Sequence, residues 1–153
     1  MIREIPTYNN GKWEETKFKD DESFSEFLKS IFKEPGEYNF NEIAFEFNRE
    51  ARTFNKEGFY CSSPFKSKDF LTYWNAEKQK CREGVIYRTK ENIWYLTRDY
   101  YMWLNFLPIY DKEEKKYGFA KVRDAQYHMA IYELLAELNN KHCAILKKRQ
   151  IAS

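Results

Sequence analysis

Apolar residues recur at helical spacing in several stretches of this chain, and short apolar runs between them read as strands. Phe24, Phe27, Leu28, Ile31 and Phe32 follow Ser23 and Glu26, which stand at capping-box spacing, and Pro35-Gly36 ends this first helix. Asn41 is placed to cap a second helix, with Ala44, Phe47, Ala51 and Phe54 inward and a stop near Gly58. Its other face, Glu46, Arg49, Glu50 and Arg52, reads as solvated. Ser67 opens a third helix with Phe70, Leu71, Trp74, Lys78 and Cys81 along one side and Gly84 as its C-terminal cap. Lys78, Lys80 and Arg82 near its end suit the helix dipole, a phosphate contact being the alternative.

Val85-Ile86-Tyr87 reads as a short strand, and the run from Trp94 to Phe106 as a strand passing into a helix. Leu107 to Tyr110 and Gly118 to Val122 flank the charged turn Asp111 to Lys116, as a hairpin would. Arg123-Asp124-Ala125-Gln126 begins the last helix, with Asp124 as N-cap and Tyr127, Ile131, Leu134, Leu135 and Leu138 inward. After Asn139-Asn140, the residues His142 to Leu146 form an apolar strand. Helix, Asn-rich turn, strand and polar loop make up the local grammar of an α/β unit, whose strand belongs in a parallel sheet.

Composition adds bounds. A chain of 153 residues that is 42% hydrophobic and 19% aromatic can bury a core. Lys and Arg number 26 against 24 for Asp and Glu, a net charge of +2, so a basic site must be local. Cys61, Cys81 and Cys143 are odd in number and form no CxxC pair, which points to buried thiols in a reducing cytosol. His128 and His142 lack a partner at ligand spacing, so no metal is assigned. The first six residues lack the apolar run of a signal peptide, and Arg98, Asp99 and Pro108 interrupt the stretch nearest to a membrane span, Ile93 to Tyr110. A soluble, cytoplasmic protein with no membrane partner is expected.

The chemistry-bearing segment is the basic turn Lys147-Lys148-Arg149-Gln150-Ile151-Ala152-Ser153. In phosphate-binding loops a strand delivers a turn of inward-pointing amides, a basic side chain supplies charge, and a hydroxyl holds Mg²⁺. The pattern GxxxxGK[ST] is not met: Ala152 fills the place of the second Gly and Ser153 that of the Lys. Taken together, the aromatic run Tyr100 to Ile109, then Arg123-Asp124-Ala125-Gln126-Tyr127, then Ala144 to Ile151 resemble in order and spacing the large terminase subunit of tailed bacteriophages. Tyr73-Trp74 to Gly84-Val85 match more loosely.

That resemblance implies an α+β fold. Residues 1–122 would be a mostly helical region with a small hairpin, and residues 123–153 the first helix, strand and incomplete P-loop of a truncated ASCE ATPase domain. The family is an ATP-driven motor that moves double-stranded DNA into a procapsid, with a C-terminal nuclease. The implied cofactors are ATP and Mg²⁺ in the full-length parent, neither being expected to bind tightly to these 153 residues, whose Ala152-Ser153 departs from the common Gly-Lys pair. Implied partners are double-stranded DNA, the portal protein and the small terminase subunit, with the motor as a homo-oligomeric ring on the portal in the host cytoplasm. Gln126 matches the glutamine with which the family reads adenine; taken alone, it could equally be a solvent-facing helix residue. Arg149 matches the early basic residue of terminase P-loops, and Lys147, Lys148, Gln150 and Ser153 complete the candidate nucleotide-binding set.

An apolar strand ending in Asp-Glu and an acidic nuclease cluster are both missing from the sequence, so the 153 residues are expected not to hydrolyse ATP by themselves. An N-terminal fragment, or one piece of a split gene, is the corresponding expectation. Two alternatives stay open. One is the N-terminal part of a helicase-type ATPase. The other is a small viral module in which Trp94, Tyr95, Tyr100, Tyr101 and Trp103, interleaved with Arg98, stack on single-stranded bases rather than packing in a core.

Overall fold

The computed structural model describes residues 2–40 and 43–144. Mixed α and β structure is present, as expected, but the chain begins with a β-hairpin that its polarity pattern does not announce. Strands β1 (Arg3–Asn9) and β2 (Lys12–Phe18) pair antiparallel from Arg3 opposite Phe18 to Asn9 opposite Lys12. The turn is Asn10-Gly11, with φ of 49° and 93°, the positive values that a tight two-residue hairpin needs and that Asn and Gly tolerate. β2 is mostly exposed, so little apolar alternation marks it.

Helix α1 (Asp21–Ile31) starts earlier than its capping-box spacing suggested. Asp20, not Ser23, is the N-cap, and its carboxylate accepts from the Ser23 amide at 2.8 Å. The expected second helix is broken in two, α2 (Ala44–Phe47) and α3 (Arg49–Glu57), with Asn48 between them; Gly58 caps α3 at φ 81°. Asn41, the expected cap, lies outside the described residues. Helix α4 (Lys68–Glu83) has its expected N-cap, Ser67, whose hydroxyl accepts from the Phe70 amide at 3.2 Å, and its expected C-cap, Gly84. Its inward face differs from expectation: Leu71 and Lys78 are exposed, and the buried residue is Glu77.

Strands β3 (Val85–Arg88) and β4 (Ile93–Leu96) follow, then α5 (Arg98–Phe106), whose N-cap Thr97 marks the strand-to-helix boundary. Strands β5 (Ile109–Asp111) and β6 (Lys116–Gly118) make the expected small hairpin. Helix α6 (Asp124–Leu138) closes the order. Asp124 is not its N-cap as expected: the cap position is Arg123, without a side-chain bond, while the Asp124 carboxylate accepts from the Gly36 amide in the loop after α1. His142–Ala144 are exposed and not in a strand, so the expected strand is absent from its described part; Ile145 and Leu146 lie outside the described residues.

The main sheet has the order β2-β1-β3-β4, with β1 and β3 parallel and the outer pairs antiparallel. Pro6 lies just before Thr7, where pairing with β3 begins, so a residue without an amide proton is tolerated inside a strand flanked on both sides. Ile5, Phe24, Leu28, Val85, Leu96, Leu104 and Ile131 form the aliphatic and aromatic heart of one core. Tyr127 closes it from α6. Its ring lies 5.1 Å from Phe40 and 6.3 Å from Phe47, and its hydroxyl accepts the amide of Tyr95 at 3.0 Å. That bond occupies an amide of β4, the edge strand of this sheet among the described residues.

Candidate functional site

One cleft gathers residues that the sequence singled out for different reasons. It has a volume of about 440 Å³ and runs between the N-terminal half of α5 and one face of α6. Gln126, Ala130, Glu133 and Glu137 fall along that face at helical spacing, while Tyr127 and Ile131 turn into the core. Opposite them stand Arg98, Tyr100 and Trp103 of α5. Arg3 from β1 and Arg82 from the end of α4 reach the same cleft.

Gln126 is only 9% exposed, yet it lines this cleft. It is not a solvent-facing helix residue. Its carboxamide has one acceptor and two donor positions, enough to read a heterocycle edge that offers both. Tyr100 is buried beside it, and burial pushes its phenol up to about 12, so it remains a neutral hydrogen-bonding group at any physiological pH. The Tyr100 hydroxyl accepts the Arg123 amide at 3.4 Å, tying α5 to the start of α6. The Tyr100 and Trp103 rings are 6.0 Å apart, a tilted pair forming an aromatic wall.

The charges around this cleft nearly cancel. Arg3, Arg82 and Arg98 face the carboxylates of Glu83, Asp99, Glu133 and Glu137. Arg3 is already held by Asp21 at 2.9 Å and stacks over Phe24 at 4.9 Å. Such a lining gives a polyphosphate no net attraction, whereas an uncharged, flat, hydrogen-bonding ring fits both the aromatic wall and the amide. The remaining candidate residues, Lys147, Lys148, Arg149, Gln150 and Ser153, lie outside the described residues.

The aromatic run does not form an open stacking platform. Trp94, Tyr95, Tyr100 and Tyr101 are all buried, and of the five aromatics only Trp103 is partly accessible. Three further polar residues carry structure that the sequence reading missed. Asn105 is fully buried and makes four side-chain bonds: its oxygen accepts from the Glu50 and Ala51 amides, and its NH₂ donates to the Phe47 and Tyr101 carbonyls. Glu77, 3% exposed, accepts the Tyr101 hydroxyl at 2.5 Å and pairs with Lys80 at 2.7 Å. Glu50 accepts the Tyr73 hydroxyl at 2.6 Å. The available signal for Glu77 was a carboxylate three residues after Trp74 and four before Cys81, on the apolar side of α4.

Among the described residues no group of three His, Cys, Asp or Glu side chains is arranged to hold a metal ion, and no helix is long and apolar enough to cross a membrane. Cys61, Cys81 and Cys143 are free thiols, and burial pushes Cys81 up to about 11. Comparison with family models, curated proteins and solved structures finds no match to this chain.

Proposed function

We propose that this chain is the N-terminal part of a phage-type large terminase subunit, the ATP-driven motor that packages double-stranded DNA, and that the cleft between α5 and α6 receives the adenine of ATP. The observation that carries this reading is Gln126: nine-tenths buried, it lines a cleft of about 440 Å³ walled by Tyr100 and Trp103. An amide beside a flat aromatic wall suits a purine, and the near-balance of charge suits the base rather than the phosphates. On this reading the triphosphate and Mg²⁺ fall to the basic sequence Lys147 to Ser153, in which Arg149 is the residue suited to forked phosphate contacts. Within these 153 residues the assigned role is binding and not turnover. Double-stranded DNA, the portal, the small terminase subunit and a ring of like subunits are the partners this reading entails.

The test is an equilibrium titration of ADP and GDP, followed through tryptophan fluorescence. ADP should bind in preference to GDP, and Gln126→Leu should weaken ADP by about tenfold, the worth of one hydrogen-bonded contact, while leaving GDP unchanged. Equal binding of both nucleotides by the unaltered chain, or indifference of ADP to Gln126→Leu, overturns the reading. Salt-dependent binding of single-stranded DNA without nucleotide preference would favour the stacking module instead.

A further inference from the structure

A second, larger cleft lies elsewhere on the molecule, bounded by the β1–β2 hairpin, α3 and α4, with a volume of about 690 Å³ and no lining residue in common with the first. Its walls combine the aromatic rings of Trp13, Tyr60 and Tyr73 with the carboxylates of Glu15, Glu50 and Glu77, against the two cations Arg49 and Lys80. The chain as a whole is slightly basic, so this cleft is a local reversal of sign.

One alkylammonium already sits in it. The Lys80 Nζ lies 2.7 Å from the Glu77 carboxylate and 4.0 Å from the centre of the Trp13 ring, and its side chain is 12% exposed. A carboxylate on one side and an indole face on the other is how proteins hold organic cations. The neighbouring carboxylate lacks an equivalent. Glu50 accepts a hydrogen bond from the Tyr73 hydroxyl, and among the described residues no cation pairs with it; Arg49, adjacent in sequence, is directed to Glu46 at 3.5 Å. Glu50 is also close enough to Glu77 to help raise that residue's pKa, so the cleft holds two carboxylates that repel each other and one ammonium.

We propose that this cleft binds an aliphatic polyamine, with one ammonium on Glu50, a second toward Glu15 at the rim, and the methylene chain against the Trp13 and Tyr60 rings. A flexible chain of spaced ammonium groups matches spaced carboxylates separated by apolar ring faces. A compact inorganic dication does not, because no cluster of three ligating side chains is formed among the described residues.

Spermidine titrated into the full chain at low salt, monitored by calorimetry and by tryptophan fluorescence, tests this. Spermidine should bind at one site, and Glu50→Gln should weaken it by about tenfold, since the amide oxygen still accepts from Tyr73 while the charge is gone. Trp13→Leu, a change at a residue that is 45% exposed, should weaken it similarly and leave the thermal midpoint within a few degrees. Magnesium at equal charge concentration should not displace spermidine. Absence of binding, unchanged affinity in Glu50→Gln, or equal displacement by magnesium overturns the proposal.

Discussion

Two buried polar side chains show how much a single residue decides here. Asn105 acts as the N-cap of α3 from another helix: Asn48, at the cap position, makes no capping bond, its side-chain oxygen accepting from Arg52 Nε at 3.2 Å, and the amides of Glu50 and Ala51 are satisfied instead by the Asn105 oxygen at 3.1 and 3.2 Å. Asn105→Ala strands two amides and removes a donor from two carbonyls, so it should cost about 3 kcal/mol in denaturant unfolding, with lost hydrogen-exchange protection at Glu50 and Ala51. Glu77 sets a different balance. Desolvation raises its pKa, and Lys80 and Tyr101 only partly oppose that. From pH 4.5 upward, until the raised value is passed, the folded chain holds a proton that the unfolded chain has released. Stability contributed by Glu77 therefore falls as pH rises through that window. Thermal midpoints of the unaltered protein, compared with Glu77→Gln across pH, should decline in this window and run parallel above it; a constant difference throughout would contradict the assignment.

At the scale of elements, what could be read in advance divides along local and long-range causes. The boundaries of α4 follow from its own caps and were legible; the passage from β4 into α5 was legible without its boundary, which Thr97 sets, and the β5–β6 hairpin without its register, since Asp111 and Lys116, expected in the turn, pair as strand residues. The break at Asn48 was not, because its cause is a side chain more than fifty positions away. The first hairpin carries a strong local signal, Asn10-Gly11, but β2 buries so little that strand alternation is missing and the turn stands alone. In the candidate site, Gln126 was singled out through a resemblance, whereas Trp103 and Arg98 line the same cleft only because α5 packs beside α6. Gly84 gives a sharp element-level prediction. It has φ 80°, and a Cβ there would stand 2.3 Å from the Tyr95 hydroxyl and 2.5 Å from the Leu96 carbonyl. Tyr95 cannot swing away without losing its 2.6 Å bond to the Glu83 carbonyl. Gly84→Ala should therefore destabilise by more than about 3 kcal/mol, while Gly58→Ala, also at positive φ but with open space around it, should cost about 1 kcal/mol in the same chemical denaturation.

For the whole molecule, α5 is the partition between the two clefts. Tyr100 and Trp103 face the cleft of Gln126, and Tyr101 reaches Glu77 on the other side. Its far end, Asn105, holds the start of α3, whose Glu50 lines the second cleft. Ligands in the two clefts would thus bear on one helix, and spermidine at saturation should shift the ADP affinity of the chain by the same factor as ADP shifts that for spermidine, a reciprocity checked by paired titrations. The borrowed cap also orders events in time. The amides of Glu50 and Ala51 meet their acceptor only when a residue 55 and 54 positions onward arrives, so α3 has no start of its own to nucleate from. In a chevron study, Ala51→Gly and Asn105→Ala should give the same φ-value, whether high or low. α3 would then form no earlier than the docking of α5, and the chain would commit to the wall of one cleft at the moment it completes the other.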